Sequence, residues 1–212
     1  MCRSDNAVIA RHGFHIRSAA LGDQRFAPVQ VFADITKVQE APDVVVLTVK
    51  VLPDVDRVAL LRPVVGPKTT IVLIQNGIDI EQEIHAAFPD NELLSALAFI
   101  GVSRTGPGEI HHQALGSLTL GRYPSGSSDA AAGLARAFEA GGVDCHVTRE
   151  VKSARWQKAV WNAVFNPISI MGGAIDTATM FETEQGERLV RRALLEVCAV
   201  AAAVGHPQAP QL

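Results

Sequence analysis

At 212 residues the chain is long enough for one large domain or two small ones around a sizeable core. Hydrophobic residues make up 48% and charged residues 19%, which excludes an intrinsically disordered chain. A formal net charge of -3 gives no electrostatic ground for nucleic acid or an acidic membrane surface as a partner.

The polar start Met1–Asp5 is not followed by an apolar stretch, so no signal peptide is expected. The longest apolar stretch, Ala193 to Val204, is interrupted by Glu196. It falls short of the roughly 18 apolar residues of a membrane helix, so no membrane partner is expected. A reducing cytosol is the default address. Cys2, Cys145 and Cys198 are far apart and odd in number, which argues against a disulfide framework or a thiolate metal site.

Val44–Val49 is a continuous β-branched apolar run, which predicts a strand buried on both faces, and Ile71–Ile74 is a second one. Between them a helix is predicted to open at Pro53-Asp54 and to carry Val55, Val58 and Leu61. A further amphipathic helix starts near Asp79, with Ile80, Ile84, Ala87 and Phe88 on one face. Buried strand, helix, buried strand, helix is the pattern of a parallel sheet.

The pattern then changes. Leu93–Ser103, Glu109–His112 and Ser117–Leu120 read as strands, with a Gly106-Pro107-Gly108 turn that implies antiparallel pairing. Ala130–Ala140 is an Ala-rich helix closed by Gly141-Gly142, and Val143–Val147 is one more short strand. From Val151 onward only helix is predicted, with Ala154, Trp161, Val164, Phe165 and Ile168 at three- and four-residue spacing. The domain boundary is therefore placed near residue 149, with α/β structure before it and an all-α domain after it.

Two clusters could carry chemistry. Gln75-Asn76-Gly77 directly follows a predicted strand. Asn-Gly is also a common hairpin turn, but a helix-length segment follows instead of a second strand. At the carboxyl end of a parallel strand, where open α/β sheets bind ligands, Asn76 would present an amide to a ligand. Lys50 occupies the matching place after the preceding strand, but a lysine at a strand end is more often just solvated, so alone it means little. The second cluster is Lys158, Asn162 and Asn166, at i, i+4 and i+8 on one helix face. A solvated polar stripe is the plain alternative. Against it, the segment is otherwise apolar, and polar groups there need partners that a substrate could supply. Trp161, Val164 and Phe165 fall on other sides, where they can anchor the helix in a core. His111 and His112 alternate across a strand and cannot share a metal, so no metal site is expected. Arg191 and Arg192 beside Glu187 and Glu196 read as helix surface charge.

Thr48-Val49-Lys50, then Gln75-Asn76-Gly77, then Arg155-Trp156-Gln157-Lys158 running into Asn162 and Asn166-Pro167 together resemble the ketopantoate reductase (2-dehydropantoate 2-reductase) family. Each motif is weak alone; the ordered set, extending across nearly the whole chain, is fairly specific. The resemblance implies an NADP-binding, Rossmann-type α/β domain over 1–149 and a helical substrate domain over 150–212, with the active site in the cleft between them. It implies NADPH-dependent reduction of a 2-keto acid in the cytoplasm, 2-dehydropantoate to pantoate in pantothenate biosynthesis, and leaves room for a homodimer.

By the same resemblance Lys158 is the catalytic proton donor, and Asn162 and Asn166 hold the substrate's hydroxyl and carboxylate end. Asn76 and Lys50 lie beside the nicotinamide and its ribose, and Arg3 stands where an arginine often binds the 2′-phosphate of NADP. The sequence departs from the family in having no GxGxxG, the loop whose amides cradle the pyrophosphate. The expectation is a partial Rossmann-type domain lacking its first strand, and a helical domain incomplete at its C-terminal end. Asp176 stands where a third substrate-side asparagine is common. Lacking that strand and loop, the chain is expected to bind NADPH weakly or not at all. Two other readings remain open: a reductase of a different 2-keto acid, and a non-catalytic binding or assembly module.

Overall fold

The computed structural model describes residues 5–210. Helix α1 (Asn6–His12) leads into a hairpin of β1 (Phe14–Ser18) and β2 (Gly22–Phe26). There follow β3 (Val44–Leu47), α2 (Arg57–Leu61), β4 (Thr70–Ile74), α3 (Gln82–Ala87), β5 (Leu93–Gly106) and β6 (Glu109–Arg122). Then come α4 (Asp129–Ala140), β7 (Asp144–Thr148), α5 (Val151–Met171), α6 (Thr177–Met180) and α7 (Glu184–Ala203). Among the described residues seven strands form one sheet in the order β2-β1-β6-β5-β4-β3, with β7 also pairing β6. Strands β3, β4 and β5 run parallel, β5 and β6 pair antiparallel, and both β1 and β7 lie parallel to β6. The architecture is α/β followed by helices, as the sequence implied.

Side chains alternate across the sheet and sort into two cores. Val72, Leu94, Leu118 and Leu120 face α4, where Ala131 and Ala135 pack flat against them. Ile71, Leu73 and Leu93 face the other way, onto Leu61 of α2 and Ile84 of α3. Each fully buried leucine or isoleucine here contributes about 1.5–3 kcal/mol relative to exposure. Helix α4 starts where predicted because the Ser128 hydroxyl accepts from the Ala131 N–H at 3.1 Å.

In three places the strands and helices differ from expectation. β3 ends the sheet rather than lying inside it, so Val44 and Val46 are 42% and 43% exposed and only one of its faces meets the core. A β-branched run satisfies an edge strand as well as a central one, and composition alone does not separate them. Glu109–His112 and Ser117–Leu120 are two ends of one long strand, β6, whose register against β5 shifts between Phe99 and Ile100 and between Gly101 and Val102. Leu115 and Gly116, at φ 63° and 128°, take up the irregularity. Finally, α2 begins at Arg57, where the Asp56 carboxylate accepts from the Ala59 N–H at 2.8 Å, and Pro53-Asp54 form the turn before it.

Helix α5 lies against β5 and β6 on one side and α7 on another. Val160, Val164 and Phe165 of α5 interdigitate with Val190, Leu194 and Cys198 of α7 and with Met180 of α6. Thr183 caps α7 by accepting from the Gly186 N–H, and Arg191 and Arg192 pair with Glu187 and Glu196 one turn away, as expected of surface charge. Among the described residues no helix is long and apolar enough to cross a membrane. Cys145 and Cys198 are buried free thiols, and Cys2 lies outside the described residues.

Candidate active site

A groove of about 900 Å³ runs between the carboxyl ends of β3 and β4 on one side and α5 on the other. Five sequence-predicted residues line it together: Lys50 and Asn76 from the strand ends, and Lys158, Asn162 and Asn166 from the helix. The sixth, Arg3, lies outside the described residues. Gln75-Asn76-Gly77 leaves β4 toward α3 and forms no hairpin.

Periodicity explains the α5 wall. Residues four apart return to nearly the same face, so the stripe from Lys158 to Asn166 faces the groove while Val160 and Val164 face α7. Trp161 departs from its predicted anchoring role. It is 44% exposed and lines the groove, stacked on the buried Phe165 at 4.0 Å between ring centroids. At i+3 from Lys158 it shares the helix's groove-facing side, which the three-residue repeat serves as readily as a core stripe.

Lys158 is 9% exposed. Its ammonium donates to the Ala98 carbonyl and lies 5.1 Å from the centroid of the Phe99 ring, within cation–π range. Burial pushes its pKa below the ordinary lysine value, and the positive charge of Arg155 one turn earlier pushes in the same direction. Such a lysine is a better proton donor than a solvated one. Among the described residues the amides of Asn76, Asn162 and Asn166 have no hydrogen-bond partner, so their polar groups are open to a ligand in the groove.

Beneath the groove lies a buried polar network that sequence reasoning missed. Arg155, 3% exposed, pairs with the buried Glu81 carboxylate, and Ser95 bridges them by accepting from Arg155 at 2.7 and 2.9 Å and donating to Glu81 at 2.6 Å. Arg155 also donates to the backbone carbonyls of Gln75 and Gly77, at 2.8 and 3.0 Å. The Gln75 side chain donates to the Val49 carbonyl and accepts from Arg57 at 3.3 Å, and Arg57 pairs with Glu83 at 2.7 Å. The available signal was a charged residue on the apolar-spaced side of α5, one turn before Lys158.

Asp176 does not line the groove. Its carboxylate accepts from the Thr179 N–H at 2.8 Å and caps α6, which holds it below the usual aspartate range. His112 is buried while His111 is exposed, as strand alternation required; His112 bonds Ser18 at 2.8 Å and the Leu115 carbonyl at 2.9 Å. Among the described residues no histidine, cysteine and carboxylate cluster could hold a metal.

The strand-end wall stands where open α/β sheets bind ligands and suits a dinucleotide. Adjacent parallel strands finish there side by side, and an open amide and an ammonium flank the mouth. Gly77, at φ 125°, occupies a backbone conformation that side chains disfavour.

Comparison with known proteins agrees with this fold. A family model described as ketopantoate reductase PanE/ApbA matches residues 1–125, and that of the family's C-terminal part matches residues 150–211. The 2-dehydropantoate 2-reductase of Nostoc sp. is 29% identical over 211 residues, covering 97% of this chain and 65% of that protein. The crystal structure of 2-dehydropantoate 2-reductase from Methylococcus capsulatus is similar at a TM-score of 0.88 and 52% identity, over 98% of this chain and 66% of that one. D-mandelate dehydrogenase, solved with NADH and anilino(oxo)acetate, shares the fold at a TM-score of 0.80 and 19% identity, over 96% and 64% of the two chains. The chain thus spans just under two thirds of the length of these reductases. By the two family matches and the fold, the chain belongs to the ketopantoate reductase family.

Proposed function

We propose that the protein reduces a 2-keto acid with NADPH, and that its substrate is 2-dehydropantoate and its product pantoate. The observation that carries this reading is the buried Lys158 ammonium lining the groove, with Asn162 and Asn166 beyond it on one wall and Asn76 and Lys50 on the other. In this reading residues 1–149 bind the dinucleotide and residues 150–212 belong to the substrate domain.

The nicotinamide supplies a hydride to the carbonyl carbon when bound. Negative charge then grows on the carbonyl oxygen, where the Lys158 ammonium stabilises it and delivers the proton that completes the alcohol. The lowered pKa of Lys158 eases that transfer. Asn162 and Asn166 orient the substrate's hydroxyl and carboxylate end, and an oriented substrate converts much of the entropic barrier into binding. Asn76 and Lys50 hold the nicotinamide and its ribose, and Arg3 takes the 2′-phosphate that distinguishes NADP from NAD. A homodimer is the assembly proposed.

The test is NADPH consumption with 2-dehydropantoate, with NADH and the Lys158→Ala variant as comparisons. Substrate-dependent consumption that needs Lys158 and favours NADPH supports the reading. Consumption that Lys158→Ala leaves intact removes its chemical basis.

A second reading, reduction of a 2-keto acid with a bulkier side chain, is favoured by the apolar part of the groove, where Phe99, Ile100, Val102, Leu115 and Trp161 are all exposed. Comparing kcat/KM for 2-dehydropantoate with that for branched and aromatic 2-keto acids separates the two.

A further inference from the structure

We propose that Arg155 is a positioning residue that sets Asn76 opposite Lys158, by holding both backbone carbonyls that flank Asn76 on a single guanidinium nitrogen. Its effect on turnover rests on the reductase reading above; its effect on the geometry does not.

The guanidinium is fully engaged. One terminal nitrogen donates to Gln75 O at 2.8 Å and Gly77 O at 3.0 Å, and the remaining nitrogens meet Ser95 and Glu81. Because only the backbone on either side of Asn76 is held, the Asn76 amide itself stays open to the groove. Gly77 allows the backbone conformation at this point: its φ is 125°, and a Cβ there would lie 2.5 Å from Ile80.

The same clamp reaches the neighbouring strand. Gln75, whose carbonyl Arg155 holds, donates through its side chain to Val49 O, the residue before Lys50. Both strand-end residues of the groove are therefore tied to one guanidinium, which sits one helical turn before Lys158 on α5. The rise between them is about 4.5 Å along the axis.

Stability alone does not account for this arrangement. A buried ion pair is often replaced by well-packed apolar side chains at no net loss, so its presence is weak evidence of a stabilising role. What an apolar pair cannot do is aim a planar fork at two carbonyls. Lysine cannot hold the two carbonyls and also meet Ser95 and Glu81, since all its donors sit on one nitrogen rather than in a rigid planar array.

The test uses Arg155→Lys, which keeps the charge opposite Glu81, and the double variant Glu81→Met/Arg155→Met, which removes both charges and guards against a single substitution that fails to fold. Two quantities are read on the full chain: amide hydrogen exchange over Asn76–Ile78, and kcat and KM with NADPH and 2-dehydropantoate. With far-UV circular dichroism unchanged, exchange is expected to rise and kcat to fall by about tenfold or more each, while KM for the keto acid moves by less than about threefold.

Exchange that stays at the wild-type rate in both variants overturns the clamp. Faster exchange with undiminished kcat overturns the positioning role and leaves the reductase reading standing. Faster exchange in a protein whose wild type reduces no 2-keto acid supports the clamp and sinks the reductase reading instead.

Discussion

The Lys158 ammonium sits 5.1 Å from the centre of the Phe99 ring and donates to the carbonyl of the residue before it, Ala98. Strand β5 thus holds the proposed acid from below while α5 presents it to the groove. Burial first, and the Arg155 charge second, lower its pKa. The protonated form is the active one, so the proton is lost earlier on the alkaline side than from a free lysine. The expected kcat profile falls at a pH below about 10.4, the ordinary lysine value. A fall at or above that value contradicts the assignment.

Removing the ammonium removes both the charge stabilisation and the proton. Lys158→Ala is expected to lower kcat by about 10²-fold or more. Asn162→Ala and Asn166→Ala are expected to raise KM for the keto acid more than they lower kcat, since they act on orientation and binding. Steady-state kinetics of the three variants checks both statements, and a near-normal kcat for Lys158→Ala is the adverse result.

Gly77→Ala is expected to destabilise the protein by about 1–3 kcal/mol, because its φ of 125° and the 2.5 Å approach to Ile80 both oppose a side chain. Urea denaturation measures the loss. A midpoint unchanged from wild type means that this segment relaxes at no cost.

Trp161 lines the groove beside the open amides, so a bound 2-keto acid alters its surroundings. Titration with 2-dehydropantoate is expected to change tryptophan emission, and Trp161→Phe is expected to abolish most of the change although Trp156 remains. A signal retained in that variant places the ligand elsewhere.

Much of the site was legible because it depends on periodicity and strand-end position. Lys158, Asn162 and Asn166 share a face by helical spacing alone, and Lys50 and Asn76 follow strands whose parallel pairing makes their carboxyl ends neighbours. What escaped depends on contacts distant in sequence. The β1–β2 hairpin gains its place by pairing His15–Ser18 with Glu109–His112, which no local pattern announces. The exposure of Val44 and Val46 depends on which strand ends the sheet, and composition is the same either way. Arg155 and Glu81 stand 74 residues apart, and no local pattern announces their pairing under the groove.

The Arg155 attachment also governs how the groove can widen. Beyond it, α5 meets α6 and α7 through apolar side chains, which slide more readily than a forked set of hydrogen bonds. Were α5 to swing about Arg155, Lys158 would lie about 4.5 Å and Asn166 about 16 Å along the axis from the pivot. Asn166 would then travel roughly three to four times as far as Lys158. Such a swing would move the far end of the polar stripe, while Lys158 would keep its distance from the strand ends.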